Sequence, residues 1–137
     1  MRINETVVID TNVLIYFFDE TSSFYKKARE FVDDNFSDIV ITSKSVSEFI
    51  CALSKIEMYD IVLKELPHIL ADFKVIYPDR FSIDILNSLV RQYHPVGIKV
   101  FDYEIASIML ANNIQKLLTN NIDDFKKIKE IEIIPLE

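Results

Sequence analysis

Glycine is nearly missing from this chain: Gly97 is the only one in 137 residues. A glycine-rich phosphate loop or a dinucleotide fingerprint needs several glycines at fixed spacing, so nucleotide binding of either kind is excluded. Cysteine is equally scarce. Cys51 stands alone, which rules out a disulfide framework and a thiolate zinc site. Its neighbours Ile50, Ala52 and Leu53 mark it as a small core residue rather than a nucleophile. No stretch approaches the roughly 20 apolar residues that cross a bilayer. Glu5 and Asp10 follow Arg2 too soon for a secretory leader, so a cytoplasmic protein with no membrane partner is expected. Basic charge is also in deficit. Fifteen Lys and Arg against 22 Asp and Glu give a net charge of -7, which argues against gripping nucleic acid with a broad basic face. Nucleic acid stays open as a substrate, because a divalent cation held by carboxylates brings positive charge to a phosphate.

What is present begins with Val7-Val8-Ile9-Asp10-Thr11-Asn12-Val13-Leu14-Ile15-Tyr16-Phe17-Phe18. A β-branched run stops on a carboxylate, turns at Thr11-Asn12 and enters an apolar helix. Such a run fits a parallel strand covered on both faces. Asp10 then stands at the carboxyl end of the strand, the edge of an open α/β sheet where ligands collect. A charge between two apolar segments costs several kcal/mol unless it is compensated (about 2–7 for an unpaired polar group). It caps a helix or it holds a cation.

The rest of the chain alternates in the same way. The pattern predicts a helix from Ser22 towards Asn35, with Phe24, Ala28, Phe31 and Val32 on one face. It predicts a strand over 38–42, then a helix whose apolar face is Val46, Phe49, Ile50 and Leu53. A helix over 59–72 is expected to bend or split at Pro67. A third strand over 73–77 precedes an amphipathic helix over 82–93. After a loop through Lys99 come Asp102, a helix over 103–112, a strand over 115–119, a helical turn over 123–129 and a last strand over 131–135. Strands alternating with helices, half the residues being apolar and 27% charged, predict one α/β domain over 1–137. Its sheet is expected to be mostly parallel, of four to five strands flanked by helices.

In that topology Asp10, Glu48, Asp102, and Asn121 with Asp124, all fall near one sheet edge. Two carboxylates about 4 Å apart repel by roughly 4 kcal/mol at an effective dielectric of 20. Several together take up protons or bind a hard cation such as Mg²⁺ or Mn²⁺. Each also has a structural reading. Asp10 and Asp102 can be helix caps, Ser45-Val46-Ser47-Glu48 matches a capping box, and Asp124 can be a surface charge. His68 and His94 lack partners at zinc spacing. Lys126, Lys127 and Lys129 read as a solvated face, although they or Lys99 could position phosphates.

Four segments together resemble the PIN domain, and within it the VapC-type toxin ribonucleases. They are Val8-Ile9-Asp10-Thr11-Asn12-Val13-Leu14, Ser45-Val46-Ser47-Glu48-Phe49, Asp102-Tyr103-Glu104-Ile105-Ala106, and Leu118-Thr119-Asn120-Asn121-Ile122-Asp123-Asp124-Phe125. The resemblance implies a Mg²⁺- or Mn²⁺-dependent endoribonuclease, with Asp10, Glu48 and Asp102 as metal ligands. Thr11, Asn12 and Thr119 would support them. It also implies a homodimer and a small antitoxin partner. The family's fourth acidic position falls at Asn121, where many relatives have Asp, or at Asp124, which implies one firmly held metal. The alternatives are an RNA-processing nuclease of the same fold and a degenerate PIN module that binds RNA or protein without cutting. A phosphoacceptor domain is disfavoured, since Thr11-Asn12 follows Asp10 where a second acid would be needed.

Overall fold

A computed structural model describes residues 2–136. Five short strands form one parallel sheet: β1 (Val7–Ile9), β2 (Ile39–Thr42), β3 (Lys74–Ile76), β4 (Lys116–Thr119) and β5 (Glu132–Pro135), in the order β3-β2-β1-β4-β5. β1 is the middle strand and is buried on both faces. Val7, Val8 and Ile9 are wholly inaccessible. The register sets Val8 beside Val40 on one side and Leu117 on the other.

Side chains alternate across a strand, and the two cores obey that period. Val7, Ile9, Ile39, Ile41 and Leu118 join one core with α1 (Thr11–Phe18), α2 (Tyr25–Asp34), α3 (Ser43–Lys55) and α4 (Tyr59–Asp72). Val8, Val40 and Leu117 join the other with α5 (Arg80–Tyr93), α6 (Val100–Ala111) and the single turn α7 (Ile122–Phe125). Each fully buried aliphatic side chain contributes about 1.5–3 kcal/mol, so both layers are anchored through β1. From β1 the chain builds outward to β2 and β3 on one side, and later to β4 and β5 on the other. The topological switch point therefore lies at the carboxyl end of β1, beside Asp10.

Several expectations are corrected. Cys51 is exposed, because the buried stripe of α3 runs through Phe49 and Leu53 and two residues beyond Phe49 is about 200° around the helix. α4 runs unbroken through Pro67. The Leu63 carbonyl that loses its donor belongs to an exposed residue, where water replaces the bond. Its buried residues are Val62 and Ile69. α2 starts at Tyr25 rather than Ser22. α5 starts at Arg80, because Asp79 and Ser82 form a reciprocal capping box. Among the described residues no helix is long and apolar enough to cross a membrane.

Candidate active site

Asp10 is fixed from every side. Its backbone N–H donates to the Leu118 carbonyl at 2.9 Å, and its carbonyl accepts from Val13 and Leu14 to open α1. Its carboxylate is 5% exposed. Oδ1 accepts from the Thr11 N–H at 2.8 Å and Oδ2 from the Thr119 hydroxyl at 2.8 Å. The Thr119 oxygen in turn accepts from the Asn121 N–H at 2.9 Å. Burial pushes the Asp10 carboxyl above its ordinary value, the bonds from Thr119 and Thr11 pull it back, and the charges of Glu48 and Asp124 push it up again. Asp10 is thus a helix cap and also a carboxylate facing other carboxylates.

Glu48 is free of the capping role its spacing allowed. α3 begins at Ser43, and its cap is Thr42, whose hydroxyl accepts from the Ser45 N–H at 3.2 Å. Ser45 is therefore inside the helix, and the S-x-x-E box does not form. Instead the Thr11 hydroxyl lies 3.0 Å from Glu48 Oε1 and 3.1 Å from the Ser45 hydroxyl, which is 3.4 Å from that of Thr42. Thr42, Ser45 and Thr11 are buried, so this ladder of hydroxyls ties α1 to α3 and aims Glu48. Sequence reasoning missed Ser45; its signal was a hydroxyl one helical turn before Glu48, on the same face.

Asp102 lies in the first turn of α6, third from Val100, and is not the cap; Lys99 occupies that position without a side-chain bond. Burial raises the Asp102 carboxyl to about 6, with the charges of Asp124, Asp10 and Glu48 adding to the rise and Lys99 opposing it. Asp124, on α7, is held by Lys99 Nζ at 2.8 Å. Asn121 precedes α7 and shares a cavity of about 400 Å³ with Thr11, Asn12, Ile15 and Glu48. The four carboxylates reach one electrostatic neighbourhood from β1, α3, α6 and α7. Of the two candidates for a fourth acid, Asp124 carries charge that acts on Asp10 and Asp102, and Asn121 flanks Glu48.

Among the described residues no three acidic, imidazole or thiol groups are drawn into a closed metal cage. Two other observations decide the fit. Both side-chain polar atoms of Asn12 are buried without a partner, which costs about 1–3 kcal/mol per group. The donors here are all hard oxygens. Mg²⁺ takes such donors, keeps several waters and needs only one or two carboxylates, so the residues suit a water-rich divalent cation.

A second cavity, of about 270 Å³, is lined by Tyr93, His94, Val96, Lys99, Asp124 and Lys127, among others. Lys44 stands near the start of α3, 4.0 Å from Glu104 and 3.9 Å from the centre of the Phe101 ring.

The PIN domain family model matches residues 7–131. No curated protein matches the chain. Among solved structures, DNA-bound VapBC from Salmonella typhimurium is similar at a TM-score of 0.77 and 23% identity, covering 97% of this chain and 99% of that one. VapBC2 from Rickettsia felis, bound to a promoter DNA fragment, gives 0.72 and 23% with both chains covered completely. VapC20 from Mycobacterium tuberculosis, a toxin that cleaves the sarcin–ricin loop, gives 0.67 and 12% over 82% of this chain and 87% of its own. The likeness in fold extends over the whole sheet and its helices, and the matched residues include all four site segments: the chain belongs to the PIN domain family.

Proposed function

We propose that this chain is a single-domain endoribonuclease that uses Mg²⁺ or Mn²⁺ and serves in the cytoplasm as the toxin of a toxin–antitoxin pair. The observation that carries the reading is the meeting of Asp10, Glu48 and Asp102 at the switch point of the sheet, beside the unpartnered Asn12 amide. Carboxylates that repel one another in a half-buried site are stabilised by a cation between them. A bound divalent cation would supply an activated water and neutralise charge on the phosphate. The chain's own residues do the rest. Asp10, Glu48 and Asp102 would hold the ion, and Thr119 and Thr11 keep Asp10 and Glu48 from turning away. Asn12 would support them through metal-bound water. Asn121 or Asp124 would serve as the fourth residue of the site, with Asp124 now paired to Lys99.

The toxin role is supported by the neighbours in fold. Those from Salmonella typhimurium and Rickettsia felis are VapBC, and VapC20 is a sarcin–ricin loop cleaving toxin. By that analogy the chain pairs with a small antitoxin; that it also pairs with itself is part of the same proposal. Two features favour a second reading, a PIN module that binds without cutting: Asp124 is tied to Lys99, and Asn121 is neutral.

The test is RNA cleavage by the purified protein in Mg²⁺, in Mn²⁺ and in chelator, beside Asp10→Asn. Discrete cuts that need metal and vanish in the variant are expected. Absence of cutting on every RNA, with metal still raising Tm, would establish the binding module instead.

A further inference from the structure

The second cavity is lined by Lys99, Asp123 and Asp124 but by none of Asp10, Glu48 and Asp102. Its volume of about 270 Å³ is just below the roughly 300–1,000 Å³ of pockets for drug-sized ligands, which leaves room for one flat heterocycle. One wall is apolar: Tyr93, Pro95, Val96 and the buried Tyr103. The two tyrosine rings lie 5.5 Å apart, and Tyr93 Oη donates to Glu130 at 2.5 Å while accepting from the Lys129 N–H. The end of α5 is thereby pinned to the segment after α7, so the hollow is preformed.

The rest of the lining is charged, Lys99 and Lys127 beside Asp123 and Asp124. Lys127 has no ion-pair or hydrogen-bond partner among the described residues, whereas Asp123 and Asp124 are already paired with Lys126 and Lys99. The lip carries two further oddities. Val96 is 79% exposed although apolar. His94 holds a left-handed backbone, φ 50°, directly before Pro95, a combination that sterics disfavour and that concentrates at functional sites. An apolar slot beside unpaired cationic charge, next to a phosphodiester-cutting site, matches single-stranded RNA. Its unstacked bases enter apolar or aromatic hollows while lysines meet the phosphates.

We propose that this cavity is a nucleobase subsite. It receives the base of the nucleotide flanking the scissile phosphate in single-stranded RNA, with Lys127 on the adjoining phosphate and Val96 and Tyr93 against the base. This rests on the ribonuclease reading and adds a sequence-selecting element to it. Because the base is remote from the bond that breaks, its contacts are made equally in ground and transition states and set KM rather than kcat.

Val96→Ser and Lys127→Gln are the variants, with Val96→Leu as the conservative control. Val96 and Lys127 are both exposed, so Tm should stay unchanged. With cleavable RNA, each of the first two should raise KM about tenfold, the scale of losing one base contact. The kcat should hold in both; the base preference at the cut sites should flatten in Val96→Ser and stay in Lys127→Gln, whose phosphate contact carries no sequence information, while Val96→Leu keeps KM and preference. Cutting with unaltered KM and unaltered cut-site composition in Val96→Ser would overturn the subsite and leave the nuclease standing. Binding of short oligoribonucleotides to the full chain carrying Asp10→Asn separates the two ideas. If the wild type cuts nothing, the nuclease reading fails. Oligonucleotide affinity that falls in Val96→Ser and Lys127→Gln then still upholds the subsite, and affinity that is absent or equal in all variants overturns it.

Discussion

Asp10 shows how one residue serves fold and site at once. Its backbone stitches β1 to β4 and opens α1, while its buried carboxylate meets the charges of Glu48 and Asp124. Asp10→Asn keeps an acceptor for the Thr11 N–H and removes the penalised charge. In chelator its Tm should rise by about 4 °C, the shift made by roughly 1 kcal/mol in a domain of this size; an equal or lower Tm would deny the carboxylate repulsion. Asp102 makes a pH prediction. Its folded value, about 6, lies above the ordinary 3.8, so between those limits the folded protein holds a proton that the unfolded chain has released. Stability from this group is therefore lost as pH rises through 6 and regained below it. Thermal melts in chelator should show Tm falling from pH 5 to pH 7 by more in the wild type than in Asp102→Asn. Asp102 is half-buried, so solvent damps the effect.

At the scale of elements, α3 explains what the sequence could and could not reveal. Its apolar face at Phe49 and Leu53 was plain from the period, and so was the strand before it. The start near Ser43 was legible as well; the cap was not, because Thr42, Ser43, Ser45 and Ser47 are all competent caps and only the sheet decides among them. β2 ends at Thr42, so Thr42 takes the cap and Ser45 turns inward to Thr11. The same competition misplaced α6, which starts at Val100 without any side-chain cap. The acids were nominated from where the alternating pattern puts strand ends and helix starts, whereas the hydroxyl ladder that aims Glu48 joins residues 34 and 37 apart and has no local signature. Thr42→Ala should cost about 1 kcal/mol as a lost cap. It should also lower cleavage by loosening the Ser45–Thr11–Glu48 chain, whereas capping alone would reduce Tm and leave the specific activity of the folded protein intact.

For the whole molecule the governing fact is a net charge of -7 on a domain proposed to take a polyanion. The sheet resolves this by drawing its own acids together at one edge and leaving lysines on the rim: Lys99 with Asp124, Lys126 with Asp123, Lys127 unpaired and Lys44 near α6. Lys44, Lys99 and Lys126 already face carboxylates, so Lys127 and the one or two of these that exchange a carboxylate for a phosphate are all that can meet RNA at once. Each phosphate contact on a single strand contributes about -0.7 to the slope of log affinity against log salt. Two or three contacts give about -2, against the much steeper dependence of a basic groove. The affinity of Asp10→Asn for a single-stranded oligoribonucleotide, measured from 50 to 200 mM salt at fixed Mg²⁺, should therefore fall by only about 16-fold. A decline of a thousandfold or more over that range would require about seven or more lysine contacts. This rim does not offer them, and the RNA would then have to lie across another face of the molecule or across two copies of it.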